Sequence, residues 1–233
     1  MIDGHCERRG VITGMIAGVV ALALPGPALA RTLGKAARDA MTPQAVVAAM
    51  LAGNQRFVMG KRLPADYLSD MQATAAGQSP AAVVISCIDS RASLELICDL
   101  SFGDAFSARV AGNAINDDIL GSAEYACAVA GAKAVIVMGH TGCGAIKGAI
   151  DDVVLGNLTL LLARFKAAIA ATPGEDRTTH NHDFVDAVAK TNVVQSVAMI
   201  RDRSPVLAAL EREGKIIIVG AMYDLSSGRL SLV

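Results

Sequence analysis

The amino-acid sequence predicts an α/β fold, a mostly parallel sheet flanked by helices behind an N-terminal helical arm. Three observations carry that prediction. Apolar runs at 82–87, 104–110 and 134–138 alternate with stretches of helical spacing at 92–100 and 117–130, and short continuous strands separated by helices imply a parallel sheet covered on both faces. Hydrophobic residues make up 53% of the chain, yet there are only five Phe, three Tyr and no Trp. The core must therefore be built from Ala, Val, Ile and Leu, which suits helices packed closely on a sheet and disfavours a base-stacking surface. Finally, the 203 residues from 31 to 233 match the size of one α/β domain with a substantial core.

Residues 1–30 read as an export leader. Glu7-Arg8-Arg9 precedes an apolar stretch at 10–24, Pro25-Gly26-Pro27 interrupts it, and Ala28-Leu29-Ala30 offers small residues for cleavage before Arg31. The 15 apolar positions fall short of the ~18 or more of a spanning helix, so no stable membrane anchor is expected after cleavage. Arg8-Arg9 before Val11-Ile12 also resembles a twin-arginine address, which would send the folded protein to a bacterial periplasm; the twin-arginine and Sec routes both stay open. The leader takes Asp3, Glu7, Arg8 and Arg9 with it, so 21 basic against 22 acidic residues become 19 against 20. A nearly neutral chain gives no reason to expect nucleic acid or an anionic membrane as partner.

Along residues 31–233, Thr42-Pro43 predicts a helix start with Thr42 as cap, followed by Val46, Val47, Met50 and Leu51 at helical spacing until Gly53 or Asn54 ends or bends it. Residues 61–80 predict a loop with at most one short helix. After the alternating strands and helices come helical patterns at 157–171 and 184–201, separated by a polar stretch at 172–183. A last helix at 205–213, capped by Ser204 and stopped by Gly214, leads to a strand at 215–219 and a hairpin through 224–228. The helix at 45–51 has no obvious place in a self-contained sheet, which points to a contact with a second copy.

Two motifs carry the chemistry. Cys87-Ile88-Asp89-Ser90-Arg91 follows the first apolar run, and His140-Thr141-Gly142-Cys143-Gly144 follows the run at 134–138. In an open α/β sheet, ligands bind beyond the carboxyl ends of strands, so one crevice can hold both. Two thiols, an imidazole and a carboxylate suffice for tetrahedral zinc with an exchangeable fourth position. Taken singly, each residue has a plainer reading: a core cysteine, a hydrogen-bonded histidine, a glycine-rich turn cradling an anion. The conjunction of Cys-x-Asp-x-Arg with His-x-x-Cys is what those readings leave unexplained. Of the cysteines outside the leader, Cys98 and Cys127 are expected to stay unpaired on opposite faces of the sheet, since a chain of this size needs no disulfide framework.

These residues resemble the β-class carbonic anhydrases, from Gly53-Asn54-Gln55-Arg56-Phe57 through the two ligand motifs and 109–113 to 220–224. The resemblance implies one zinc ion per chain on Cys87, His140 and Cys143, with Asp89 either paired to Arg91 or serving as fourth ligand. It implies a substrate pocket at Gln78, Phe106 and Tyr125, with the Gly144 N–H near the substrate oxygens, and a homodimer or higher homo-oligomer. The implied reaction is reversible hydration of carbon dioxide to bicarbonate and a proton by zinc-bound hydroxide, with Arg91 keeping Asp89 ionised as its orienting acceptor. Two other readings stay open on the motifs alone: a zinc hydrolase of the same fold acting on carbon disulfide or carbonyl sulfide, and a non-catalytic module with structural zinc. His180 and His182 could relay the released proton, although a solvated loop explains them as well.

Overall fold

A computed structural model describes Met1 and residues 31–233; the expected leader otherwise lies outside the described residues. The helical arm comprises α1 (Lys35–Ala40), α2 (Pro43–Val58) and α3 (Tyr67–Thr74), followed by β1 (Ala82–Ser86), α4 (Leu94–Ile97), β2 (Ala105–Arg109) and α5 (Asp117–Glu124). Then come β3 (Ala134–His140), α6 (Gly144–Ile150), α7 (Gly156–Leu162), α8 (Lys166–Ala171), α9 (His182–Arg203), α10 (Pro205–Arg212), β4 (Ile217–Tyr223) and β5 (Leu230–Leu232). The sheet order is β2-β1-β3-β4-β5, parallel except for β5, which closes a hairpin on β4. No helix among the described residues is long and apolar enough to cross a membrane.

Strand order reverses between β1 and β3, and this places the ends of those two strands side by side. Ser86 is in register with Met138, so Cys87 leaves β1 next to the last residues of β3, Gly139 and His140. Alternation sorts the strand side chains onto two faces. Val83, Ile85, Val135 and Val137 pack with Val193, Ile200 and Leu207 on one side, while Ala82, Val84, Ile136 and Met138 pack with Val46, Met50 and Ile97 on the other. Cys127 belongs to the first face and Cys98 to the second, and both are free thiols. Burial pushes each up to about 12.

Several local expectations are met in detail. The Thr42 side chain accepts from Ala45 N at the start of α2, and Ser204 accepts from Leu207 N at the start of α10. Others are corrected. The helix that begins at Pro43 runs on to Val58, because Gly53 is a contact rather than a stop: a Cβ there would lie 1.9 Å from the Cys98 carbonyl oxygen. Nor does this helix lack a place in its own chain, since Val46, Val47 and Met50 are buried against the sheet. The helix expected at 92–100 shrinks to α4 because Asp99 takes φ +50°, a conformation that ends a helix. The stretch 117–130 starts as α5 and finishes as a π-helical turn, Tyr125–Val129. The strand expected at 215–219 is β4, which begins and ends later, and α1 and α6 had no counterpart in the sequence reading.

Gly53→Ala should therefore push helix and Cys98 backbone apart, with a loss of about 1–3 kcal/mol in folding free energy, the scale of overpacking in a filled core. Urea unfolding of the purified variant measures it, and an unchanged midpoint would refute the close contact.

Candidate metal centre

The two motifs meet as the strand order dictates. Cys87, His140 and Cys143 are all buried, and one ligand atom from each lies within 4.8 Å of the other two. β1 delivers Cys87, β3 ends on His140, and the tight turn after it brings Cys143 to the head of α6. That turn is tied down from three directions. Gly142 N donates to Asp186 Oδ1 on α9 at 2.7 Å, Leu225 N donates to Thr141 Oγ1 at 3.0 Å, and Thr141 N donates to Tyr223 O at 3.0 Å.

Donor chemistry fits a cation. His140 Nδ1 lies 2.9 Å from the Thr141 carbonyl oxygen, which can only accept, so the proton sits on Nδ1 and Nε2 presents a lone pair. Nε2 is buried and has no hydrogen-bond partner among the described residues. Hydrogen bonding from the Cys143 thiol, together with the Gly112 N–H, holds Cys87 well below the usual thiol range despite its burial. The same contact, with burial, pushes Cys143 up. Two sulfurs and one imidazole with a bare nitrogen form a soft ligand set suited to zinc.

Asp89 stands at the rim. Its Oδ2 is 3.9 Å from His140 Nε2, and its carboxylate is clamped by Arg91, with Nε to Oδ1 at 3.0 Å, an Nη to Oδ2 at 2.8 Å, and the Arg91 backbone N to Oδ1 at 3.0 Å. Of the two positions open to Asp89 on sequence grounds, the structure shows the arginine-paired one. Arg91 beside it keeps the Asp89 carboxyl well below the usual carboxylate range. The pair is lopsided, with the Arg91 side chain 62% exposed and that of Asp89 16%, so it contributes little to holding the fold.

Supporting residues without a motif complete the centre. Arg109, at the end of β2, donates to the Cys87 carbonyl at 2.9 Å and to the Asp89 carbonyl at 2.6 Å. Gly112 N donates to Cys87 Sγ at 3.2 Å, and Asn192 on α9 holds the Gly112 carbonyl at 3.1 Å. Gly112 has φ +64°, and a Cβ there would lie 2.5 Å from Phe165. In the sequence Gly112 lies within the 109–113 stretch of the resemblance, with the left-handed preference of glycine as its physical signal.

The remaining named residues lie apart from the sulfurs. Phe106 and Tyr125 stack edge-on at 6.1 Å and line an open groove with Val83, Ala108 and Gly121. Tyr125 is 55% exposed. Gln78 lines another hollow beside Thr74 and Gly103. Neither hollow includes Cys87, His140 or Cys143 within one chain. Gly144 begins α6 next to Cys143, with open space where a side chain would be. His180 and His182 are exposed at the start of α9.

Comparison with known proteins gives a consistent picture. A family model described as carbonic anhydrase matches residues 82–230. Carbonic anhydrase 2 of Mycobacterium tuberculosis is 34% identical over 191 residues, covering 82% of this chain and 92% of its own. Among solved structures, a β-carbonic anhydrase of Aspergillus fumigatus superposes with TM-score 0.63 at 28% identity, covering 80% of this chain and 90% of the other. One of two tetrameric β-carbonic anhydrases from Sordaria macrospora gives TM-score 0.61 at 26% identity, covering 70% and 85%.

Metal analysis of the purified protein should find about one zinc ion per chain, and Cys87→Ser or Cys143→Ser should lose most of it, because either change removes one of three strong ligands. Full zinc retention in either variant would show that the sulfurs do not hold the metal.

Proposed function

Because the chain belongs to the β-class carbonic anhydrase family and is a lyase of that kind, we propose that it interconverts carbon dioxide and bicarbonate with zinc held by Cys87, His140 and Cys143. The observation that carries the reading is the buried, unpartnered Nε2 of His140 facing two cysteine sulfurs. Bound there, zinc supplies the Lewis acidity that makes water a nucleophile at neutral pH.

This chain's own residues supply the rest. Asp89 enters the reaction as an ionised acceptor, since Arg91 stabilises its charge. From its place at the rim it accepts a hydrogen bond from the reacting water and so aims a lone pair at the substrate carbon. It does not take the proton away, because a carboxylate held so low is a poor base near neutrality. Arg109 and Gly112 keep the Cys87–Asp89 backbone in place while the Gly144 N–H faces the product oxygens. Nothing at the site favours the sulfur-analogue or structural-zinc readings.

Export and assembly belong to the same proposal. Residues 1–30 act as a leader that sends the chain to a bacterial periplasm, supported by the Arg8-Arg9 pair, the apolar stretch and the Ala28-Leu29-Ala30 site. The working form is a homodimer or higher homo-oligomer. Its support is the exposed apolar surface of Tyr125 and Val129 beside the Phe106 groove, and the tetrameric state of the Sordaria β-carbonic anhydrases.

Arg91→Ala should keep zinc near the parent level and leave stability almost unchanged, yet slow carbon dioxide hydration roughly tenfold, about 1.4 kcal/mol in barrier. The same variant should shift the acid limb of the rate profile. In the parent, Asp89 stays ionised far into acid, because its folded pKa is depressed. Without Arg91 that pKa rises, so activity is lost at a higher pH as the solution is acidified. Stopped-flow rates across pH test both statements, and a parent-like profile with zinc retained would reduce the pair to a surface salt bridge.

A further inference from the structure

Residues 31–33, just past the expected cleavage point, are gripped by three acidic side chains. Arg31 N donates to Asp70 Oδ1 at 2.7 Å and Leu33 N to Asp104 Oδ1 at 2.9 Å, while the Arg31 guanidinium lies 3.6 Å from Asp99 Oδ1 and donates to the Asp99 carbonyl at 3.1 Å. Asp70 is the member without an explanation. It is 0% exposed, and its Oδ2 has no hydrogen-bond partner among the described residues. Arginines are close by, but Arg31, Arg56 and Arg62 all turn to Asp99, at 3.6, 2.6 and 3.5 Å. A buried carboxylate left with one amide hydrogen bond is costly unless a cation joins it.

We propose that Asp70 is the built-in receptor for the α-ammonium group that leader removal creates at Arg31. A leader peptidase hydrolyses the Ala30–Arg31 peptide bond: water adds across the C–N bond, Ala30 leaves with a carboxylate, and the Arg31 amine takes up a proton. The new group occupies the place of the present amide nitrogen, already 2.7 Å from Asp70 Oδ1. It carries a full charge and three hydrogens where the amide had one, enough to serve Oδ2 as well. The other charged groups that face it are Asp104, Asp99 and the guanidinium of Arg31 itself, two acids and one base, so the surroundings favour the ammonium. Processing thus converts a single hydrogen bond into a buried ion pair. It pins residues 31–33 across α3 and the loop before β2, and the matured chain becomes firmer than its precursor. The idea rests on the leader reading and adds a structural destination for the terminus that cleavage exposes.

Four full-length mature proteins test it: chains beginning at Arg31 or retaining Ala30, each with Asp70 or Asp70→Asn. Mass spectrometry of the exported protein should show Arg31 as first residue. With Asp70, the Arg31 terminus should raise the thermal midpoint by about 2–4 °C over the Ala30-extended chain; with Asp70→Asn the gain should vanish. Acylation of the terminal amine by an N-hydroxysuccinimide ester should be several-fold slower for the Arg31 chain than for the Ala30-extended one, a comparison that needs no Asp70 variant. A different first residue overturns the proposal together with the leader reading. Arg31 in first place, but with equal midpoints or an amine that labels as fast as the extended chain's, overturns the Asp70 assignment and leaves the leader reading standing.

Discussion

Two thiols and an imidazole packed into one buried corner impose a conflict that the rest of the molecule is arranged around. The first thiol to ionise is helped by a hydrogen bond from its neighbour, and the neighbour is then held protonated by the charge it faces, which is the opposite displacement of Cys87 and Cys143. The bare His140 Nε2 beside these sulfurs has no hydrogen-bond partner among the described residues. A divalent ion removes the conflict, because both sulfurs can then be thiolates and the bare nitrogen gains a partner. Metal binding and completion of the fold are linked through this corner.

Holding three ligand atoms within 4.8 Å takes contacts from distant parts of the chain. α9 contributes twice, through Asp186 on the Gly142 N–H and Asn192 on the Gly112 carbonyl. Phe165, fully buried between α7 and α8, packs where a Gly112 side chain would be. The C-terminal hairpin contributes Tyr223 and Leu225 through Thr141. Such second-layer contacts fix the orientation of the ligands. Helix α9, packed on the sheet through residues such as Val193 and Ile200, is thus as much a part of the centre as the strands that carry the ligands.

What the sequence made legible was the local and the periodic. Strand runs, the caps Thr42 and Ser204, and the ligand motifs are short-range patterns whose physics is contained in a few neighbouring residues, and right-handed crossovers decide which face each connecting helix covers once the strand order is known. Gly53 was misjudged because its meaning is a contact with Cys98, and periodicity carries no trace of a partner so far along the chain. Asp99 ends α4 by a left-handed backbone conformation that three arginines around its carboxylate accompany, again a tertiary cause. Asp186 falls within the helical pattern at 184–201, where nothing local marks its partner, the Gly142 N–H. The mistaken inference that α2 needed a second copy came from counting sheet elements without asking which face they leave bare; that face, lined by Val84 and Met138, is what α2 covers.

The four cysteines outside the leader show how one residue type is kept from interfering with itself. Reactivity follows the thiolate, and burial suppresses it at Cys98 and Cys127, whose thiols are pushed up to about 12. The sheet between them prevents any approach, since a disulfide needs Cα atoms within about 7 Å. Cys87 and Cys143 are the reverse case, adjacent, with Cys87 the one readily ionised. In the oxidising surroundings that export would bring, they are the pair able to close on each other, and a metal ion between them occupies the electron pairs that closure would use. The ligand set proposed to activate water would then also keep its own sulfurs reduced. Loading the ion before the chain meets an oxidant is compatible with a route that exports folded protein, which would connect the paired arginines of the proposed leader to the chemistry of the centre.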